Sequence, residues 1–189
     1  MSVISLKKLT LTVLALFALT GCLSSSYYVL STASQPAKTY AYKKQVIGVE
    51  KITVPEYLFK REIAVAKSAS QVTFLSNATW AEDLDAGLTL RLISFLQKKF
   101  NQPNVYAYPW GLDHQPTYKV KVQISRFIAQ DKKVYLDATW EIQNMKHGDK
   151  KSRLFSTIIT IENNSASFVV SGMNRAFSQL EEHIAQGLK

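Results

Sequence analysis

One cysteine, Cys22, stands in a chain of 189 residues. A lone thiol excludes an intramolecular disulfide, so a fold in an oxidising compartment must rest on its core. Catalytic signatures are missing too. Gly-x-Ser-x-Gly, His-Glu-x-x-His and Gly-x-x-x-x-Gly-Lys-Ser/Thr do not occur. The three histidines, His114, His147 and His183, lack ligand-type neighbours at metal spacing, apart from Asp113 beside His114. They read as surface residues. Glu82, Asp83 and Asp85 read as helix-start acids rather than an acid–base pair. No catalytic residue, metal or cofactor is expected, and an enzyme is not. Long charge runs are absent as well. Lys and Arg outnumber Asp and Glu by 23 to 14, for a formal charge of +9. Yet the basic residues come as scattered pairs, among them Lys43-Lys44, Lys60-Arg61, Lys98-Lys99, Lys132-Lys133 and Lys150-Lys151. Nucleic acid is not expected as a partner. An anionic lipid surface or an acidic protein suits an exported chain better.

Export is indicated by the first 22 residues. Lys7 and Lys8 precede the apolar run Leu9–Leu19, and Thr20-Gly21-Cys22 follows at once. A basic start, a run of about 7–15 apolar residues and a small-residue cleavage point describe a secretory signal peptide. The run is too short for a spanning helix, which needs roughly 20 apolar residues. Leu19-Thr20-Gly21-Cys22 also resembles the bacterial lipobox. That resemblance implies cleavage between Gly21 and Cys22, an S-diacylglycerol group on the Cys22 thiol, and N-acylation of the new amino end. The expected division is a signal peptide over 1–21, a lipidated tether over 22–26 and one domain over 27–189. A domain of that size buries about two thirds of its surface and requires no staple.

The tether is short. Leu23-Ser24-Ser25-Ser26 leads straight into Tyr27-Tyr28-Val29-Leu30, which reads as a strand. Four extended residues span about 13–14 Å, so the domain should sit against its membrane. Ser31–Lys44 reads as a loop, and the β-branched stretch Gln45–Val54 as a strand ended by Pro55. Ile63–Ala66 and Gln71–Leu75 suggest a hairpin turning at Ser68-Ala69-Ser70. Thr79 and Glu82 match a capping box, opening a helix over about residues 81–100. Its apolar face carries Leu84, Leu88, Leu92, Leu96 and Phe100. Val105–Tyr108 reads as a short strand. Two segments then alternate with period two, Tyr118–Ile124 and Val134–Ile142, linked by Ala129–Lys133. A third strand over about 153–162 completes a meander. A final helix, capped by Ser165 or Ser167, bears Val169, Met173, Phe177, Leu180 and Ile184 on one face. The expected fold class is α+β: a mostly antiparallel sheet with two main helices on one face, a two-layer sandwich.

Aromatic residues are the remaining signal. Trp80 and Trp140 fit core positions. Tyr106, Tyr108 and Trp110 lie in the loop-like stretch Tyr106-Ala107-Tyr108-Pro109-Trp110 and form the candidate interface.

Five features now stand in order: a lipobox, Tyr27-Tyr28-Val29-Leu30 after it, Val54-Pro55-Glu56-Tyr57-Leu58 after a strand, Trp80-Ala81-Glu82-Asp83-Leu84 opening a helix, and a terminal helix. Together they resemble the ABC-type transport auxiliary lipoprotein family over nearly all of residues 22–189. Two positions depart from the family pattern. Phe59-Lys60-Arg61 replaces Asp-Arg, and Thr79 replaces Arg, so a salt bridge of the relatives is expected to be missing. The resemblance implies a non-enzymatic lipoprotein on the periplasmic side of the outer membrane. Its implied partner is an MCE-domain (PqiB-like) protein of a trans-envelope system that moves lipid or other hydrophobic molecules. It further implies docking of that partner by a homo-oligomeric ring. Leu23 after the lipidated cysteine, rather than Asp, agrees with outer-membrane sorting. The alternatives are a stand-alone periplasmic lipid carrier, with aromatics lining a pocket, and an envelope hydrolase.

Acyl chains contribute about 0.8 kcal/mol per buried CH₂, and stable anchoring needs more than one of them. Cys22→Ala is therefore expected to leave a folded periplasmic-side protein, either soluble or uncleaved. Fractionation with mass spectrometry of the amino terminus checks this, and persistent membrane association through the folded domain alone would contradict it.

Overall fold

The computed structural model describes residues 25–30, 32–41, 44–110 and 115–189. Three long strands form its frame: β6 (Tyr118–Gln130), β7 (Lys133–Asn144) and β8 (Lys150–Thr160), paired antiparallel as a meander. Their alternation sends Val120, Val122, Ile124, Leu136, Trp140 and Ile142 to one buried face. The expected link over 129–133 shrinks to two residues, Asp131 and Lys132, with φ of 49° and 59°. Two consecutive positive φ values match the right-handed twist of a tight hairpin, so pairing continues to the turn itself.

The other edge of β6 is divided. β2 (Ile47–Glu50) runs parallel to it along Tyr118–Val120, and β3 (Glu62–Ser68) runs parallel to it at Ala129. A single bridge, Thr53 to Gln123, lies between. Of the strand expected over 45–54, four residues thus form a continuous strand and Thr53 bridges alone. β5 (Val105–Tyr108) extends the sheet parallel to β2. β4 (Gln71–Trp80) pairs antiparallel with β3, and β1 (Ser26–Tyr28) parallel with β4. The sheet therefore reads β8-β7-β6-β2-β5 at one end and β8-β7-β6-β3-β4-β1 at the other. A bulge in β6 between Ile124 and Arg126 marks the division. Past it the buried positions change parity, to Phe127 and Ala129. The bulge frees the Phe127 N–H, which donates to the Tyr57 hydroxyl at 3.2 Å. Tyr57 comes from the 3₁₀ turn Glu56–Leu58 behind Pro55. Burial raises the Tyr57 phenol above its ordinary range.

The helices α1 (Leu84–Lys99) and α2 (Ala166–Leu188) cover the same buried face. Both apolar stripes read from the sequence are buried throughout. The class is α+β, with a mostly antiparallel mixed sheet. The capping box is not formed. Thr79 lies in β4, opposite Glu62 and Tyr27, and the Ala81 N–H donates to the Tyr28 carbonyl. Pairing with β1 consumes the backbone groups that a helix start would use. The helix begins three residues later, after Asp83, with no side-chain cap. Ser165 stands before α2, also without a side-chain cap bond.

Among the described residues two ion pairs join the helices: Lys99 to Glu182 at 2.7 Å, with Glu182 part-exposed, and a fully buried pair inside the core. Arg91 of α1 and Glu181 of α2 are both fully buried. Arg91 Nε and Nη2 donate to the two Glu181 oxygens at 3.1 Å each. Further donations reach the Asn174 carbonyl at 3.1 Å, Ser178 Oγ at 2.8 Å, Asn174 Oδ1, and the Leu30 carbonyl at 3.4 Å. The guanidinium is thus saturated, and it ties β1's exit to both helices.

Burial outweighs Arg91 and pushes the Glu181 carboxyl up to about 7, from 4.5. Between those values the native state holds a proton that the unfolded chain has released. This contribution to stability is full below about pH 4.5 and is lost as pH rises to about 7. Urea titrations across that window should show a decline that Glu181→Gln flattens. Glu181→Ala should cost about 3–5 kcal/mol, because it strands a buried guanidinium.

Candidate interaction surface

The face of the sheet opposite the helices carries no covering layer among the described residues. At its β5 corner three rings meet. Val105 points into the core while Tyr106 and Tyr108 point outward. Trp110 folds back over β2. Its ring stands edge-on to Tyr106 at 5.8 Å and to Tyr108 at 5.4 Å between centroids, the edge-to-face arrangement that ring quadrupoles favour. The stretch read as loop-like is strand through Tyr108, and its parallel register sets Tyr106 beside Gly48 and Tyr108 beside Glu50.

Gly48 is the seat of this cluster. A Cβ there would lie 2.8 Å from Trp110 Cζ3, 3.0 Å from Cη2 and 3.2 Å from Pro116 Cγ. Only a missing side chain lets the indole approach the sheet so closely. The surrounding polar groups are matched. Lys119 Nζ lies 3.1 Å from Glu50 Oε1 and 5.7 Å from the Tyr108 ring centroid. Tyr106 Oη donates to Asn104 Oδ1 at 3.2 Å. What remains is an open apolar recess of about 460 Å³ lined by Val46, Asn104, Tyr106 and Trp110. Tyr106 is 46% exposed at its rim. Such a surface can seat an apolar side chain or an acyl segment. It holds no nucleophile and base in contact.

The other residues singled out from sequence are accounted for elsewhere. Trp80 and Trp140 are core. Trp140 Nε1 donates to His183 Nδ1 at 2.9 Å, so that histidine braces α2 against β7. His147 lies in the exposed turn after β7. Asp85 pairs with Lys51 at 2.7 Å. Asp83 pairs with Arg61 at 3.2 Å, and Arg61 also donates to the Ala81 carbonyl. Arg61 thus reaches the acid that opens the helix. Among the described residues no three of His, Cys, Asp and Glu gather as metal ligands. No helix among them is long and apolar enough to cross a membrane. Gly21, Cys22, Asp113 and His114 lie outside the described residues.

Strand register places this corner with respect to the amino terminus. Tyr27 pairs with Thr79, and Thr79 with Glu62. Val65, three residues on, is level with Ala129. Tyr27 is therefore level with Arg126, while β2 and β5 meet β6 at Tyr118. Eight strand residues separate the two levels, about 26 Å. β1 also runs antiparallel to β6 and points its amino end away from the aromatic corner.

A model of the ABC-type transport auxiliary lipoprotein component family matches residues 28–185. Among solved structures, an uncharacterized protein superposes with a TM-score of 0.70 at 21% identity, over 88% of this chain and 99% of its own. A Xanthomonas campestris protein of the DUF330 family superposes with a TM-score of 0.65 at 15% identity, over 86% of this chain and 90% of its own. At these identities both likenesses speak for the fold alone. No match was found among curated proteins.

Gly48→Val should unseat Trp110 while the domain stays folded. Tryptophan emission should shift to the red, and the shift should vanish when Trp110→Phe is added, since the other two indoles are core. An unchanged spectrum for Gly48→Val would contradict this packing.

Proposed function

Because the chain belongs to the ABC-type transport auxiliary lipoprotein family, we propose that it docks, without chemistry of its own, the far end of a trans-envelope transport assembly built on an MCE-domain protein. In this reading residues 1–21 are removed, Cys22 is acylated, and the domain stands on the periplasmic side of the outer membrane as a ring of copies. The cargo is lipid or another hydrophobic molecule.

The observation that carries the reading is the start of β1 at Ser26, four residues after Cys22. A tether of about 14 Å cannot let the domain cross the periplasm, so a role between two membranes needs a long partner that comes to it. The tether end of β1 points one way along the sheet and the aromatic corner lies about 26 Å the other way. Tyr106, Tyr108 and Trp110 would then face the periplasm, where such a partner arrives.

A second reading, a lipid carrier, is favoured by the size of the recess, which falls in the range of small-molecule pockets. Its openness supports a docking seat better, since a carried lipid needs most of its surface enclosed.

Affinity capture from solubilised membranes should recover an MCE-domain protein. Tyr106→Ala with Trp110→Ala should weaken recovery about thirty-fold, the loss of one strong anchor residue, without unfolding the domain. Repeated capture that lacks any MCE-domain protein would overturn the docking reading. Lipid retained stoichiometrically by the purified domain would favour the carrier.

A further inference from the structure

The six-strand end of the sheet has two open margins, β8 and β1, and neither takes another strand among the described residues. Open margins are normally blunted by charge, proline or brevity. β8 is blunted at one end only, by Lys150, Lys151 and Arg153. From Leu154 to Thr160 it is uncharged, 83% exposed at Leu154 and 55% exposed at Ile158. The opposite margin, β1, is only three residues long, yet it too is apolar and open: Tyr27 is 69% exposed and Val29, just past its end, is 46% exposed. Large apolar residues left open on both margins mark an interface.

The two margins also match in level, face and direction. Ser156 pairs with Asp137, and Asp137 with Arg126. Arg126 is the level of Tyr27, so Tyr27 and Ser156 stand at opposite ends of one row across the sheet, to within about one residue. Tyr27 shares the outward face with Thr79, since Ala78 and Trp80 on either side are core. Leu154, Ser156 and Ile158 share that face, because Phe155, Thr157 and Ile159 turn toward α2. β8 runs parallel to β6, and β1 runs antiparallel to both.

We propose that β1 of one copy adds antiparallel to β8 of the next, joining the sheets edge to edge. Tyr27 then lies opposite Ser156, between Leu154 and Ile158 on the same face, and Val29 lies opposite Leu154. Directly opposite and diagonal pairs of this kind are what stabilise a sheet. The contact is head-to-tail, so it generates a ring if its rotation closes and a filament if it does not. The inference deepens the ring proposed above and rests on it for one point. All copies share one bilayer, so every β1 must point its amino end the same way. Translation from β1 to β8 keeps that direction. A two-fold pairing of β8 with β8 would reverse it and send one anchor away from the membrane.

Paired cysteines test the contact in the full chain in its own membranes, with copper phenanthroline as the oxidant. Within one copy, Tyr27 and Ser156 lie five strand spacings apart, about 24 Å, far beyond disulfide reach. A chain carrying both Tyr27→Cys and Ser156→Cys should give a ladder of multimers. Each substitution alone should stay monomeric like the parent chain, and co-expression of the two single variants should stop at dimers. Adding Leu154→Arg to the double variant should remove the ladder. A dimer from Ser156→Cys alone would overturn the proposal in favour of two-fold pairing. No species above monomer in the double variant would overturn it outright. If the ladder fails while the MCE-domain partner is still captured, this contact falls and the docking reading stands.

Discussion

The sheet of this domain is built outward from β6. That strand is hydrogen-bonded along one whole edge to β7, and its other edge is shared out between β2 and β3. The bulge after Ile124 makes the sharing possible. It turns the strand's buried side over, so that two short parallel partners can each present an apolar face to the same helices. The cost is an unpaired backbone N–H at Phe127, which the Tyr57 hydroxyl satisfies. The Pro-Glu-Tyr-Leu segment therefore owes its presence to a defect in a strand some seventy residues later. Without that hydroxyl the division of the sheet would leave a half-buried donor without a partner, a penalty of about 1–3 kcal/mol.

The buried Arg91–Glu181 pair completes the same logic in the helical layer. Apolar stripes alone would let α1 and α2 slide against one another, since leucines and valines repack at small cost. A guanidinium with every hydrogen directed at a named acceptor permits one arrangement. By including the Leu30 carbonyl it also makes that arrangement depend on the chain leaving β1. The domain's amino-terminal edge and its two helices are one cooperative unit.

How far the residues foretold this depends on whether the deciding contact was local. Period-two alternation in 118–142 and the four-residue leucine repeat in α1 are local, and both were legible. The start of α1 was not. Thr79-x-x-Glu82 carries a valid capping signal, but a strand from fifty residues upstream competes for the same backbone groups and wins. Arg91 did leave a trace, a charge set among Leu88, Leu92 and Phe95 on the apolar face. Its partner ninety residues away has no spacing rule to reveal it. Gly48 left a fainter one, a glycine inside the strand Ile-Gly-Val-Glu, and what it makes room for, Trp110, comes from another strand's end. The aromatic residues themselves were legible as a group because they are neighbours in sequence; that they meet edge to face on one corner was not.

β1 lies with its axis along the sheet, parallel to β4, so a pull on its amino end along that axis acts along the strand rather than across it. Its ladder to β4 is then strained in shear, all bonds together, instead of being peeled one at a time. Three residues of pairing, backed by Arg91's grip on Leu30, thus make a coupling that resists a pull along the strand. The same three residues pulled sideways would unzip.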